Sequence, residues 1–122
     1  MSSVLLAEDE FLIRAVLVDA LDAIGLECIE ASTGQEALDV VTGSAALSAI
    51  IVDIGLPDMS GEKVIEAAIR HRPDVPIIRC SGTSNPASSA ASALANPKIH
   101  VFPKPYSAAD LSKFVASLVG RT

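Results

Sequence analysis

Ala49-Ile50-Ile51-Val52-Asp53 is the most strand-like run in the chain, and it stops abruptly at an acid. Val4-Leu5-Leu6-Ala7 has the same form and stops at Glu8-Asp9-Glu10, as a strand buried on both faces would. Working outward from Asp53, Gly55 to Gly61 reads as a loop, and Ser60 is placed to cap a helix carrying Val64, Ile65, Ala68 and Ile69. Pro73 ends that helical region, and Val75 to Cys80 is a further strand. Upstream, apolar residues recur at helical spacing from Phe11 (Ile13, Val16, Leu17, Ala20, Ile24) until Gly25 supplies a stop. Leu26 to Ala31 is a less apolar strand, suited to a place near a sheet edge, and Thr33-Gly34-Gln35-Glu36 has the spacing of a capping box for a helix ending at Gly43.

Downstream, residues 86–95 form an Ala/Ser-rich helical stretch whose only large apolar side chain is Leu94, so a short or mobile helix is expected there. Ile99 to Phe102 is a fifth strand, and Ser107-Ala108-Ala109-Asp110 caps a last helix with Leu111, Phe114, Val115, Leu118 and Val119 on one face. Five strands alternating with five helices imply an α/β domain whose parallel sheet is covered on both sides.

With 122 residues the chain has the size of one domain, expected to span 1–122. Half of the residues are hydrophobic but only 3% are aromatic, so the core must be built from Val, Ile, Leu and Ala. The 9 basic against 15 acidic residues leave a net charge of −6 with no Lys/Arg stripe, a poor match to phosphate backbones or anionic lipid. Neither nucleic acid nor membrane is an expected partner. Cys28 and Cys80 have no CxxC or metal-ligand spacing and read as small core residues in a reducing compartment. The start of the chain lacks a basic n-region, and no apolar run approaches bilayer length, which together suggest a cytoplasmic location.

The polar side chains fall at strand ends. Glu8 and Asp9 follow the first strand, Asp53 the third, Ser81 the fourth and Lys104 the fifth. In an open parallel sheet, ligands bind outside the carboxyl ends of the strands where strand order reverses. Any one of these residues reads equally well as a polar strand terminus; the coincidence of four strands is what points to a site. Three crowded carboxylates repel one another, and a hard divalent cation such as Mg²⁺ removes that penalty. Lys104 adds a positive point charge suited to a phosphoryl oxygen. Carboxylate nucleophile, metal, ammonium and hydroxyl make a phosphoryl-transfer site, and an aspartate ionised at neutral pH needs no general base. No GxGxxG, GxxxxGK[ST] or GxSxG pattern occurs, and His71 and His100 are isolated.

Leu6-Ala7-Glu8-Asp9-Glu10, Val52-Asp53-Ile54-Gly55-Leu56-Pro57-Asp58-Met59-Ser60-Gly61 and Pro103-Lys104-Pro105-Tyr106 together resemble a bacterial response-regulator receiver domain of two-component signalling, of the chemotaxis-regulator-like form. The resemblance runs from Val4 to Val119. It implies a flavodoxin-like, doubly wound five-stranded parallel sheet in the order 2-1-3-4-5 with five helices. It makes Asp53 the phosphoacceptor, taking its phosphoryl group from a sensor histidine kinase or a histidine phosphotransfer protein. Asp9, Asp53 and the backbone carbonyl of Gly55 would bind Mg²⁺ directly, and Glu8, where many members carry Asp, would hold a metal-bound water. Ser81 would donate its hydroxyl to the phosphoryl oxygen, Lys104 would pair with it, and the Lys104–Pro105 bond would be cis.

Three departures from the family pattern carry expectations. Val101 stands where most members have an aromatic, and Phe102, one place later, should face the other way. Gly55 and Thr83 are small at the positions flanking the acceptor, which would favour attack of water on an acylphosphate. Arg79, inside a strand, is expected to snorkel out past the small residues of 86–95 rather than to pair with a carboxylate. The last helix ends close to Thr122, so no output domain is expected and the domain would act as a phosphorylation-dependent binding switch or phosphorelay shuttle toward a downstream protein, catalysing only its own phosphorylation and dephosphorylation. A phosphorylation-independent interaction module of the same fold would have no need of Glu8, Asp9, Asp53, Ser81 and Lys104 together. An acyl-phosphate phosphatase would need a second Asp two residues after its nucleophile, where Gly55 stands.

Overall fold

The computed structural model describes residues 3–81, 99–103 and 107–119. The helix expected at 86–95, Thr83, Lys104 and the Lys104–Pro105 bond lie outside the described residues. Strands β1 (Ser3–Ala7), β2 (Cys28–Ala31), β3 (Leu47–Asp53), β4 (Ile77–Ser81) and β5 (Ile99–Pro103) are joined by helices α1 (Phe11–Ala23), α2 (Gly34–Val41), α3 (Gly61–His71) and α4 (Ala108–Leu118), four helices among the described residues. Every strand pair is parallel, and the order is β2-β1-β3-β4-β5. The doubly wound α/β sheet expected from the alternation is present, with the less apolar β2 at an edge.

Side chains alternate across the central strands into two cores. Leu5, Ala7, Ile50, Val52 and Ile77 pack with Ala37 and Val41 of α2 and with Val64, Ile65 and Ala68 of α3. Val4, Leu6, Ala49, Ile51, Ile78 and Cys80 pack with Leu17 and Leu21 of α1 and with Leu111 and Val115 of α4. Both faces of β1 and β3 are therefore covered, which is why these strands are uninterrupted apolar runs. On α1 spacing identified only part of the buried face: Ile13 and Leu17 pack against the core as expected. Leu17 and Leu21 are buried, whereas Val16 and Ile24 are exposed. The helix is apolar nearly all round, so periodicity alone does not select the face that meets the sheet.

The helix ends follow local chemistry. Gly25 takes φ 84°, its N–H donates to the carbonyl of Asp22 and the Leu26 N–H to that of Leu21, at 2.9 Å each, closing α1 in the way a left-handed residue permits. Thr33 caps α2 through the Glu36 N–H at 3.1 Å, Ser60 caps α3 through the Glu62 N–H at 3.2 Å, and Ser107 caps α4 through the Asp110 N–H at 3.1 Å. In the capping box, the Glu36 carboxylate reaches one residue further back than expected, accepting from the N–H and hydroxyl of Ser32. At the other end of α2, the Arg72 guanidinium donates to the carbonyls of Val40, Val41 and Gly43 at 2.9–3.2 Å, meeting acceptors that a helix leaves unpaired. Cys80 is buried, Cys28 partly so, and neither is in a disulfide. Burial, with Glu30, Asp22 and Glu27 nearby, pushes the Cys28 thiol up to about 11. No described helix is long and apolar enough to cross a membrane.

One glycine is demanded by close approach. A Cβ on Gly61 would stand 2.5 Å from the Asp53 carbonyl oxygen, 2.8 Å from Ile54 Cα and 2.9 Å from Val52 Cγ1. The start of α3 thus rests directly on the backbone at the end of β3, anchored by the Gly61 N–H to the Ile54 carbonyl at 3.0 Å. Gly61→Ala must push strand or helix aside, and an overpacking cost of about 1–3 kcal/mol is expected, read as a lowered urea midpoint with unchanged m-value.

Candidate functional site

From β1 the chain crosses to β2 on one side and then to β3 on the other, so strand order reverses between β1 and β3. Loops leaving those two strands diverge, and a crevice opens at their carboxyl ends. Ala7 lies opposite Val52 in the ladder, which brings Glu8 level with Asp53. The Glu8 N–H extends the β1–β2 ladder by donating to the Ala31 carbonyl at 3.0 Å. Carboxylate oxygens of Glu8, Asp9 and Asp53 all lie within 4.8 Å of one another, with Glu8 and Asp53 buried and Asp9 exposed.

Three carboxylates this close form a hard, all-oxygen donor set whose mutual repulsion a divalent cation relieves. The residues present fit Mg²⁺, which takes carboxylates while keeping part of its water shell. Gly55 stands beside this cluster on the loop after β3, and its N–H donates to Asp53 Oδ1 at 3.2 Å. Among the described residues, a Cβ there would meet Asp53 Oδ1 alone, at 3.9 Å, an ordinary contact. Ser81 ends β4 opposite Pro103, one residue beyond the Asp53–Cys80 pair. Four strand ends thus converge, and Lys104, which follows Pro103, lies outside the described residues.

Two residues that sequence reasoning did not single out hold the acidic loops in place. Arg14 on α1 donates from Nη1 to the Glu8 carbonyl at 2.8 Å and from Nε to Glu30 Oε1 at 3.0 Å, tying the turn after β1 to the end of β2. Asp58, in the loop after Asp53, accepts from the Gly34 N–H at 2.7 Å and the Gln35 N–H at 3.0 Å, so that loop caps α2 from outside. A Cβ on Gly34 would meet the flexible Met59 side chain and stand 3.1 Å from Asp58 Oδ1. Apart from Arg14 and Glu8, six residues apart, these contacts join residues 16 to 24 apart in the chain, and no local spacing announces them.

Arg79 departs from the snorkelling expected of it. It is buried, and its Nε donates to Glu62 Oε1 at 2.9 Å on the first turn of α3. The carboxylate sits within reach, whereas solvent is not, so pairing wins. Phe102 turns away from Val101 as strand alternation requires, stacking with Phe114 at 5.6 Å, while Val101 is exposed.

The Gly34 and Gln35 amides hold the Asp58 carboxyl below its ordinary range, Gly34 foremost, and Ser32 does the same for Glu36. A carboxylate depressed in the fold stabilises fully above its unfolded value and loses that contribution as pH falls through the folded one. Asp58→Asn is therefore expected to lower the thermal midpoint at pH 7, with the gap to wild type narrowing below about pH 4.

Residues 4–116 match the response regulator receiver domain family. The chain is 30% identical over 119 residues to the sensor kinase CckA of Brucella abortus, covering 97% of this chain and 12% of that protein. It is 29% identical over 119 residues to the probable transcriptional regulator ycf27 of Cyanophora paradoxa, covering 98% of this chain and 48% of that one. The chain spans less than half the length of these curated relatives. Among solved structures, a CheY-like receiver domain protein from Methanospirillum hungatei superposes with a TM-score of 0.88 at 25% identity, covering 98% of this chain and 94% of that one. The chemotaxis protein CheY4 of Vibrio cholerae gives 0.82 at 25% identity over 97% and 98%. Sheet order, acidic crevice and sequence agree: the chain belongs to the response regulator receiver domain family.

Proposed function

We propose that Asp53 accepts a phosphoryl group from a phosphohistidine of a sensor histidine kinase or histidine phosphotransfer protein, and that the domain then acts as a binding switch or phosphorelay shuttle. The observation that carries this reading is the Glu8–Asp9–Asp53 cluster at the switch point of the sheet. A carboxylate oxygen of Asp53 attacks phosphorus as the P–N bond breaks, and the departing imidazole nitrogen keeps the bonding pair. When bound, Mg²⁺ neutralises the carboxylates and the charge on the transferring oxygens. Asp9, Asp53 and the Gly55 carbonyl would hold the ion directly in this reading, and Glu8 would hold it through water. The Ser81 hydroxyl and the Lys104 ammonium take phosphoryl oxygens. In a separate dephosphorylation step water adds to phosphorus, the P–O bond to Asp53 breaks with its electron pair returning to the carboxylate, and inorganic phosphate leaves.

Receiver domains are signalling switches, and related domains occur here within a sensor kinase and within transcriptional regulators. Phosphorylation adds roughly −1.5 to −2 charges and three acceptor oxygens at the end of the sheet, enough to redraw the loops around it. Beside the crevice, α1 exposes Phe11, Leu12 and Val16, and a groove runs between Leu12, Ile13, Val16, Leu17 and Ala108. That apolar face, two residues on from Asp9, is where a donor protein can rest while its histidine reaches Asp53. A net charge of −6 favours protein over nucleic acid as the downstream partner.

Intact-protein mass after incubation with Mg²⁺ and acetyl phosphate tests the reading. One Mg²⁺-dependent phosphoryl adduct is expected on wild type and none on Asp53→Asn. Beryllofluoride, which mimics the phosphoryl group without turnover, is expected to bind wild type; no adduct and no beryllofluoride binding would leave an interaction module that does not switch. Asp9→Asn is expected to weaken Mg²⁺ by at least about tenfold in a calorimetric titration. Gly55→Ala, whose Cβ would make only an ordinary contact among the described residues, is expected to fold normally and to lengthen the phosphorylated lifetime by shielding the acylphosphate from water.

A further inference from the structure

Arg79 and Glu62 complete a closed ring beside the acceptor. The Ile54 N–H donates to the Cys80 carbonyl at 3.0 Å, and the Gly61 N–H donates to the Ile54 carbonyl at 3.0 Å. Glu62, the next residue, accepts from Arg79 at 2.9 Å, and Arg79 precedes Cys80. The end of β3, the end of β4 and the first turn of α3 are thereby linked in a circuit. Its one link between two side chains is the ion pair. The pair lies on the opposite face of the sheet from the acidic cluster: Arg79 is in register with Val52, which points into the α2–α3 core, whereas Asp53 turns to Glu8 and Asp9. It is thus neither a metal ligand nor in reach of the phosphoryl group through that cluster.

We propose that the Arg79–Glu62 pair carries the phosphorylation state of Asp53 to α3, making that helix an element that responds to the switch. This rests on the reading of Asp53 as phosphoacceptor. A phosphoryl group draws the end of β4, with Ser81, toward Asp53. Arg79, two residues before Ser81 and almost wholly buried, has no freedom to let Glu62 lag behind. The amides of Gly61, Glu62 and Lys63 report the effect. All three are held by groups outside the regular helix ladder: the Ile54 carbonyl, the Ser60 hydroxyl and the Ser60 carbonyl. Their exchange with solvent therefore follows opening of the ring rather than of the helix as a whole.

The experiment is amide hydrogen exchange at residues 61–63 with and without Mg²⁺ and beryllofluoride, on the full chain. In wild type, beryllofluoride is expected to slow exchange there by about fivefold or more, the lower end of ordinary coupling between sites. In Arg79→Met, which keeps side-chain volume and leaves Glu62 able to reach solvent, beryllofluoride is expected still to bind but to leave those amides unchanged. Glu62→Gln, isosteric and on a partly exposed side chain, is expected to give the same loss and guards against a folding defect at position 79. Slowing that persists in both variants would overturn the proposal, as would wild type that binds beryllofluoride without any change in α3. A cooperatively folded variant that cannot bind beryllofluoride would also overturn it, because the pair would then belong to the site itself. Wild type that fails to bind beryllofluoride removes the phosphoacceptor reading first, and the coupling falls with it.

Discussion

The parallel pairing of β1 with β3, Ala7 against Val52, is the constraint on which the rest of the molecule depends. β1 runs apolar through Ala7 and β3 through Val52 because helices cover both faces, and both runs end where the sheet meets water. The first polar side chains beyond that boundary are acids, so a single register brings Glu8 and Asp53 side by side with Asp9 next to them. Like charges at the mouth of an apolar sheet are unfavourable in isolation. A slip of one residue would relieve the crowding but would turn every buried side chain of the strand to the wrong face, so the core enforces what electrostatics opposes.

Around this crevice, long side chains from one element satisfy groups stranded on another. Arg14 pins the turn after β1, Asp58 caps the beginning of α2, and Arg72 caps its end. α2 has eight residues, too short to be stable alone, and it is held at both termini by residues flanking α3. The loop after Asp53 is consequently fastened to α2 through Asp58 and to the end of β3 through Gly61. Charge is used in the same way at Arg79 and Glu62, where the pairing joins sheet and helix without touching the acidic cluster.

Much of the fold was legible because it depends on short-range chemistry. Thr33, Ser60 and Ser107 cap the helices that their spacing announced, and Gly25 closes α1 with a positive φ that favours glycine. The acidic residues were legible as strand ends, and the structure gathers Glu8, Asp9 and Asp53. On α1 the face was legible only in part, at Ile13 and Leu17. Phe11, Leu12, Ile13, Val16, Leu17, Val18 and Leu21 offer no single apolar stripe, so packing against the sheet decided that Leu21 goes in and Val16 stays out. Arg79 was misread for a related reason: a cation inside a strand shows nothing of its partner until the neighbouring helix is in place.

The sequence by itself determined the alternation of strands and helices, their caps, and the acids at the strand ends, because each is written within a few consecutive residues. Receiver-family membership follows from those residues too, since its motifs lie on the strand-end loops. Strand order could be expected only through the family resemblance, and the tertiary structure alone decided how close three carboxylates come and which distant groups Arg14, Asp58, Arg72 and Arg79 meet. Asp58 and Gly34 are 24 residues apart, and Arg72 and Val41 are 31. Contacts of that span are set by the packing of whole elements, because no preference of the intervening chain brings their ends together.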